Sequence, residues 1–279
     1  MQPNLKPVLP MEGYFPPHKI FGNLYFVGLK PASTHVLKTE EGLVMFDSGY
    51  LHSLPQVLNN MQAVGLNVED LRYVFHTHGH IDHMGATRAL VAAHPAKTFI
   101  GKEDAPYVTG ENDLTYAREY HMQCDFFTPD VLLNGGDAVR IGSTEISCVA
   151  TPGHTPGALS YFFNVSDGTE TFRAGLHAGS GMNTLRREYL QKYGLPLSLQ
   201  TDFIAANEKL KKEHVDIFLG NHMHQNETER KYQALLAGDR YAYVNAAEWS
   251  AFCTSVQQKM HAVMQLEKAQ ADAENPSAT

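Results

Sequence analysis

The stretch HTHGHIDH, residues 76–83, follows directly on the apolar run LRYVF and packs four histidines and an aspartate into eight positions. Histidine is the commonest metal-ligating side chain and titrates near neutrality, so such crowding points to a metal site or a pH switch. LRYVF reads as a buried strand. His78 and His80, two apart in an extended segment, then project to the same side. Asp82 and His83 fall in the turn that leads into a helix at Gly85. The fold must therefore end a strand at a sheet edge and turn at once into a helix. His76 shares the parity of His78 and His80 but lies nearer the strand. It is either a support for the ligands or simply a buried side chain.

A metal needs donors from elsewhere, and two later segments offer them, each directly after a strand-like run. TPGHTPG (151–157) sets His154 between two Pro-Gly pairs, a stiff turn that fixes one side chain at small entropic cost. GNHMHQN (220–226) follows DIFLG and carries His222 and His224. A lone histidine is ordinarily a satisfied polar group. Histidine-tipped loops recurring at the ends of strands favour a shared metal centre instead.

Around these loops the chain alternates between strand and helix patterns. LYFVG, THVLK and LVMFD read as a strand meander. HSLPQVLNNMQAVG reads as a helix, with Ser53 as its cap, Pro55 in its first turn and Gly65 as its stop. GATRALVAAH reads as a second helix. VLLNGG, AVRIG, TEISCVA, ALSYFFNV and TFRAGL are strand-like; TDFIAANEKLKKEH is helical, DIFLG is a short strand, and a helix runs from Glu248 to about Ala271. Strands then helices, twice over, predict two mixed sheets packed face to face with helices outside. There is no close internal repeat and no interdomain linker. The expected organisation is an extended proline-rich arm (1–20), one domain (21–271) and a frayed tail (272–279).

The bulk numbers exclude several classes. With 279 residues, 43% hydrophobic and 19% charged, the chain can bury a substantial core. A net charge of −8 without a long basic run disfavours nucleic acid and anionic membrane as partners. No apolar stretch approaches the roughly 20 residues of a membrane helix. Cys124, Cys148 and Cys253 lack metal-type spacing and read as free thiols. The N-terminal stretch has no signal-peptide core, so the expected location is cytoplasmic as numbered, or periplasmic or secreted if a leader was removed.

Taken in order, these motifs resemble the metallo-beta-lactamase superfamily. Its His-x-His-x-Asp-His pattern is matched by His78, His80, Asp82 and His83, its glycine-flanked histidine by His154 and its last histidine by His222. GNLYFVG, GLVMFDSGY and GLNVEDLRYVFHTHGHIDH are similar to the third subclass (B3 type) of metallo-beta-lactamases. The resemblance covers most of the chain. It implies a four-layer αββα sandwich of two mixed β-sheets flanked by helices. It also implies two zinc ions, one held by His78, His80 and His154, the other by Asp82, His83 and His222. Asp47, at the end of LVMFD, sits where the superfamily places an aspartate that steadies the metal loop. An Asp that merely starts the turn before Ser-Gly is the alternative.

The sequence also departs from its relatives. Thioesterase and phosphodiesterase branches carry a bridging aspartate where this chain has Gly175-Leu176 within FRAGLHAGSG. The third lactamase subclass places serines where this chain has Leu176 and Ala178, which cannot donate a hydrogen bond. His177 and Ser180 are the neighbours that could take over. By formal count, two zincs with five imidazoles, one carboxylate and a hydroxide carry about +2, which favours a small anionic carbonyl substrate. The implied activity is a metal-dependent hydrolase opening a cyclic amide, with Asp82 as its catalytic carboxylate. A lactonase or other ester hydrolase on the same centre, and a zinc-binding protein without catalysis, are the alternatives.

Overall fold

A computed structural model describes residues 12–274, so most of the expected N-terminal arm and the last five residues of the expected tail lie outside the described residues. Two sheets form the middle. The first runs β1 (His18–Phe21), β2 (Leu24–Phe26), β3 (His35–Thr39), β4 (Gly42–Phe46), β5 (Leu71–Phe75), β6 (Lys97–Gly101) and β7 (Val131–Leu133), in that order across the sheet. Pairing is antiparallel as far as β4 and parallel beyond it. The second sheet contains β8 (Ala138–Ile141), β9 (Thr144–Ala150), β10 (Leu159–Ser166), β11 (Thr171–Leu176) and β12 (Ile217–Leu219), ordered β12-β11-β10-β9-β8. Only its β11–β12 pair is parallel. Both sheets are therefore mixed, as the strand pattern predicts.

The inner faces of the sheets meet in one aromatic-rich core. Phe46 of β4 stacks on Phe163 of β10 with ring centres 4.7 Å apart and planes within 8°. Phe75, Phe99 and Tyr161 pack into the same cluster. The outer face of the first sheet buries Val36, Met45 and Val74 against Val57 and Met61 of α1 (Leu54–Ala63) and Leu90 of α3 (Thr87–Ala93). The intervening α2 is the short turn Ile81–Met84. On the far side, Phe162 and Phe218 pack against Leu210 of α6 (Ser198–Leu210) and Trp249 of α8 (Ala246–Glu274). Trp249 and Met260 are thus core residues of this layer. Helices, sheet, sheet and helices give the αββα sandwich, completed by α4 (Ala105–Thr109), α5 (Arg187–Lys192) and α7 (Thr228–Leu236).

Several local expectations need correction. Strand β1 begins at His18, inside the stretch expected to be arm, because His18, Ile20 and Phe21 bury against the sheet. The last helix continues to Glu274 rather than fraying at 272. Ser53 precedes α1 but does not cap it; its hydroxyl donates to the Tyr50 carbonyl at 2.8 Å. All three cysteines are free thiols. Among the described residues no helix is long and apolar enough to cross a membrane.

Register explains where function can sit. Phe46 pairs with Phe75 across the parallel β4–β5 ladder, so Asp47 and His76 leave the sheet at the same edge. Leu176 and Leu219 are likewise paired in β11 and β12. The β5, β9 and β12 strands thus deliver their following loops to a common crevice outside their carboxyl ends, where ligands of α/β sheets usually bind.

Candidate metal centre

The loops after β5, β9 and β12 bring six predicted donors together. Ligand atoms of His78, His80 and His154 lie within 4.8 Å of one another, as do those of His78, Asp82 and His83. His80 Nδ1 is 3.1 Å from His154 Nε2. Asp82 Oδ2 lies 3.1 Å from His83 Nε2 and 3.6 Å from His222 Nε2. The floor, His78 and His83, is fully buried, whereas Asp82 and His222 keep 13% and 24% of their side chains exposed. A small molecule can therefore reach the cluster from the Asp82 side.

The outer nitrogens are tied down by specific acceptors. His83 Nδ1 donates to Asp47 Oδ2 at 2.8 Å. His154 Nδ1 donates to the Gly181 carbonyl at 2.9 Å, and His222 Nδ1 to the Pro31 carbonyl at 2.6 Å. Thr77 Oγ1 donates to Asp47 Oδ2 at 2.8 Å, so it accepts from His78 Nδ1 at 3.0 Å. With its outer nitrogen donating, each of these four rings faces the cluster with its inner nitrogen, the arrangement of a metal-ligating imidazole. His78 Nε2 is buried without a hydrogen-bond partner, and His83 Nε2 has only the Asp82 carboxylate 3.1 Å away. Buried polar atoms are normally satisfied, so these two fit a cation. An all-nitrogen-and-oxygen set of imidazoles with one carboxylate suits zinc.

Electrostatics agree with the geometry. Burial pushes His78 and His80 well below the usual imidazole range, and the neighbouring histidines add to the effect. Burial likewise lowers His154 to about 4 and lowers His222. Burial would also lower His83, but the Asp82 and Asp47 carboxylates override it and raise the ring to about 10. Burial alone would raise the Asp82 carboxyl, yet His83, His222 and His80 hold it well below the usual carboxylate range. A cation at His83 thus competes with a proton.

Asp47 owes its reach to an uncommon backbone. Its φ is +58°, a left-handed conformation that Asp tolerates better than most residues. That bend points both carboxylate oxygens at the Thr77–His83 loop, where Oδ1 also accepts from Thr77 N at 2.7 Å.

The weaker candidates divide. His76 is fully buried beneath the cluster and bonds the Phe99 carbonyl and Thr87 Oγ1, so it belongs to the core. His177 is turned away: its Nε2 meets Asn207 Oδ1 at 2.9 Å and its ring packs on Trp249 and Phe252. Strand alternation accounts for this, since Leu176 faces the inter-sheet core and His177 takes the opposite, helix-covered side. Ser180 Oγ accepts from Gln225 Nε2 at 3.0 Å, which leaves its own proton free to donate. His224 is exposed and stacks on His222, ring centres 5.7 Å apart. In DLTYAREYHMQCDFF, the Tyr116 ring sits 5.7 Å from His80 and packs edge-on to Tyr120.

Other supports left no trace in the motifs. The carbonyls of Pro31 and Gly181 orient His222 and His154 from distant loops. The buried carboxylate of Asp104 accepts from the loops of both His80 and His154, and burial raises it to about 6. Asp104 is followed by Pro106 at a helix start, a pattern that reads as an ordinary cap.

Residues 27–167 match the metallo-beta-lactamase superfamily. The chain belongs to that superfamily. Its fold superposes on BJP-1, a subclass B3 metallo-beta-lactamase of Bradyrhizobium japonicum, with a TM-score of 0.83 and 25% identity, covering 95% of this chain and all of that one (100%). It superposes on the FEZ-1 metallo-beta-lactamase of Legionella gormanii with a TM-score of 0.85 and 23% identity, covering 93% of this chain and 99% of that one. Among curated relatives, the probable metallo-hydrolase YflN of Bacillus subtilis (strain 168) is 28% identical over 153 residues, 50% of this chain and 55% of that protein. The chain spans little more than half the length of the first curated relatives it matches.

Proposed function

We propose that the chain is a zinc-dependent hydrolase that opens a cyclic amide of the β-lactam kind or a related carbonyl compound. The observation that carries this reading is the convergence of His78, His80, His154, Asp82, His83 and His222, with the outer nitrogens of His78, His83, His154 and His222 committed as donors. Two zinc ions bound there would supply an activated water at neutral pH and polarise the substrate carbonyl. His78, His80 and His154 would hold one, and Asp82, His83 and His222 the other.

The chain's own residues do the positioning. Asp82, kept ionised by the histidines around it, would accept a hydrogen bond from the attacking water and so orient it. The partly exposed edge formed by Asp82 and His222 would admit the substrate. No serine or cysteine nucleophile is required. Tyr50 and Tyr120 both feel the Asp82 charge and stand close to that edge.

One observation favours an ester or lactone over a β-lactam. Leu176 and Ala178 are buried and offer no side-chain donor for a substrate carboxylate. Turnover of a chromogenic cephalosporin against turnover of an acyl lactone separates the two readings. His78→Ala and Asp82→Ala should each cut hydrolysis by orders of magnitude with far-UV circular dichroism unchanged. Full activity in both variants would overturn the hydrolytic reading. Bound zinc with no turnover across a panel of carbonyl substrates would leave a zinc-binding protein without catalysis.

A further inference from the structure

We infer that Asp104 is a positioning residue that fixes the spacing between the His78–His83 loop and the His154 loop, and so sets the affinity of the three-histidine zinc site. The inference rests on the metal reading above. Asp104 Oδ2 accepts from Gly79 N at 2.8 Å, between His78 and His80, and from Thr155 Oγ1 at 2.6 Å, beside His154. Its other oxygen, Oδ1, accepts from Gly157 N at 2.6 Å. One fully buried carboxylate therefore joins both loops that carry the His78–His80–His154 triad.

An ordinary capping role does not explain this arrangement. Asp104 precedes α4, yet its side chain makes no cap hydrogen bond to that helix and its backbone is already helical. All three of its acceptor contacts go to the metal loops instead. The chain has also been cleared for close approach. A Cβ on Gly157 would lie 2.3 Å from Asp104 N, and one on Gly101 would lie 1.8 Å from the Gly157 carbonyl oxygen.

The bases of the two loops are tied independently, by Leu159 N to the Thr77 carbonyl at 2.8 Å and by Tyr161 Oη to the His76 carbonyl at 2.8 Å. Asp104 acts at the tips, where His80 Nδ1 and His154 Nε2 face each other. Removing it leaves the sandwich intact and lets the tips drift. An asparagine cannot replace it, because one oxygen becomes an amide donor facing N–H or O–H groups. Asp104 ties the tips of the three-histidine half, whereas Asp47 reaches His83 directly and His78 through Thr77.

The test is stepwise zinc affinity, measured by competition with a chromophoric chelator, together with thermal melting. In Asp104→Asn, one of the two zinc affinities should fall about tenfold or more while the other holds. In Thr155→Val, a milder change that keeps the carboxylate, the same affinity should fall by a smaller factor, so the prediction survives if Asp104→Asn fails to fold. Added to His154→Ala, Asp104→Asn should cause no further loss at the remaining zinc, since the two act on one site. Unchanged affinities in Asp104→Asn and Thr155→Val would overturn the inference, as would equal weakening of both zincs in step with the melting temperature. Failure of the wild-type protein to bind two zincs would instead remove the metal reading itself.

Discussion

Asp47 Oδ2 sits 2.8 Å from His83 Nδ1, and the same oxygen reaches His78 through the Thr77 hydroxyl. One carboxylate at the end of β4 therefore orients imidazoles in both halves of the candidate centre. Replacing it tests whether orientation, rather than ligand identity alone, sets metal affinity. Asp47→Asn keeps a side chain that tolerates the left-handed backbone but turns an amide toward one of the donors. Zinc affinity should fall about 10–100-fold in chelator competition. Wild-type affinity would show the hydrogen bonds to be incidental.

Gly181 makes room for His154. A Cβ there would lie 2.7 Å from His154 Cε1, so Gly181→Ala must displace the ring or the loop. The expected result is about a tenfold loss of zinc affinity at one site, with melting temperature nearly unchanged. An equal loss at both sites would mean that the whole edge had moved.

His18 and His177 make the fold sensitive to acid. Burial lowers each ring from 6.5 to about 4 in the folded chain, against opposing hydrogen bonds to the Pro16 carbonyl and to Asn207 respectively. The unfolded chain then binds more protons between those values. Stability is full above about pH 6.5 and is lost as pH falls toward 4, at about 1.4 kcal/mol per unit of pKa difference for each ring before other costs. Melting temperatures from pH 7 to 4.5 should fall, and the slope should be shallower in His177→Gln. A slope identical in that variant would take His177 out of the account.

Much of the centre was legible because its donors occupy three short motifs, each directly after an apolar run. Such a run must be a buried strand, and its last residue must be a sheet edge. The sandwich followed from the same alternation. What the sequence hid were contacts between loops far apart in the chain. Nothing local to Asp104 marks it as a partner of Gly79 and Gly157, and no side-chain pattern exposes the Pro31 and Gly181 carbonyls that orient His222 and His154. His177 misleads for a different reason. It lies between Leu176 and Ala178 and follows β11 toward the site, but strand parity sends it into the helix layer against Trp249. Strand β6, KTFIG, opens on a lysine and a threonine, so its apolar signal is confined to Phe99 and Ile100.

The central claim is that three loops grip a pair of zinc ions, and its most direct test is the zinc content of the purified protein after equilibration and desalting. Wild-type protein should carry about two zincs per chain, and His154→Ala and His222→Ala should each carry about one, since each removes a ligand from only one half. A wild-type protein that holds no zinc, or two variants that both still hold two, would contradict it.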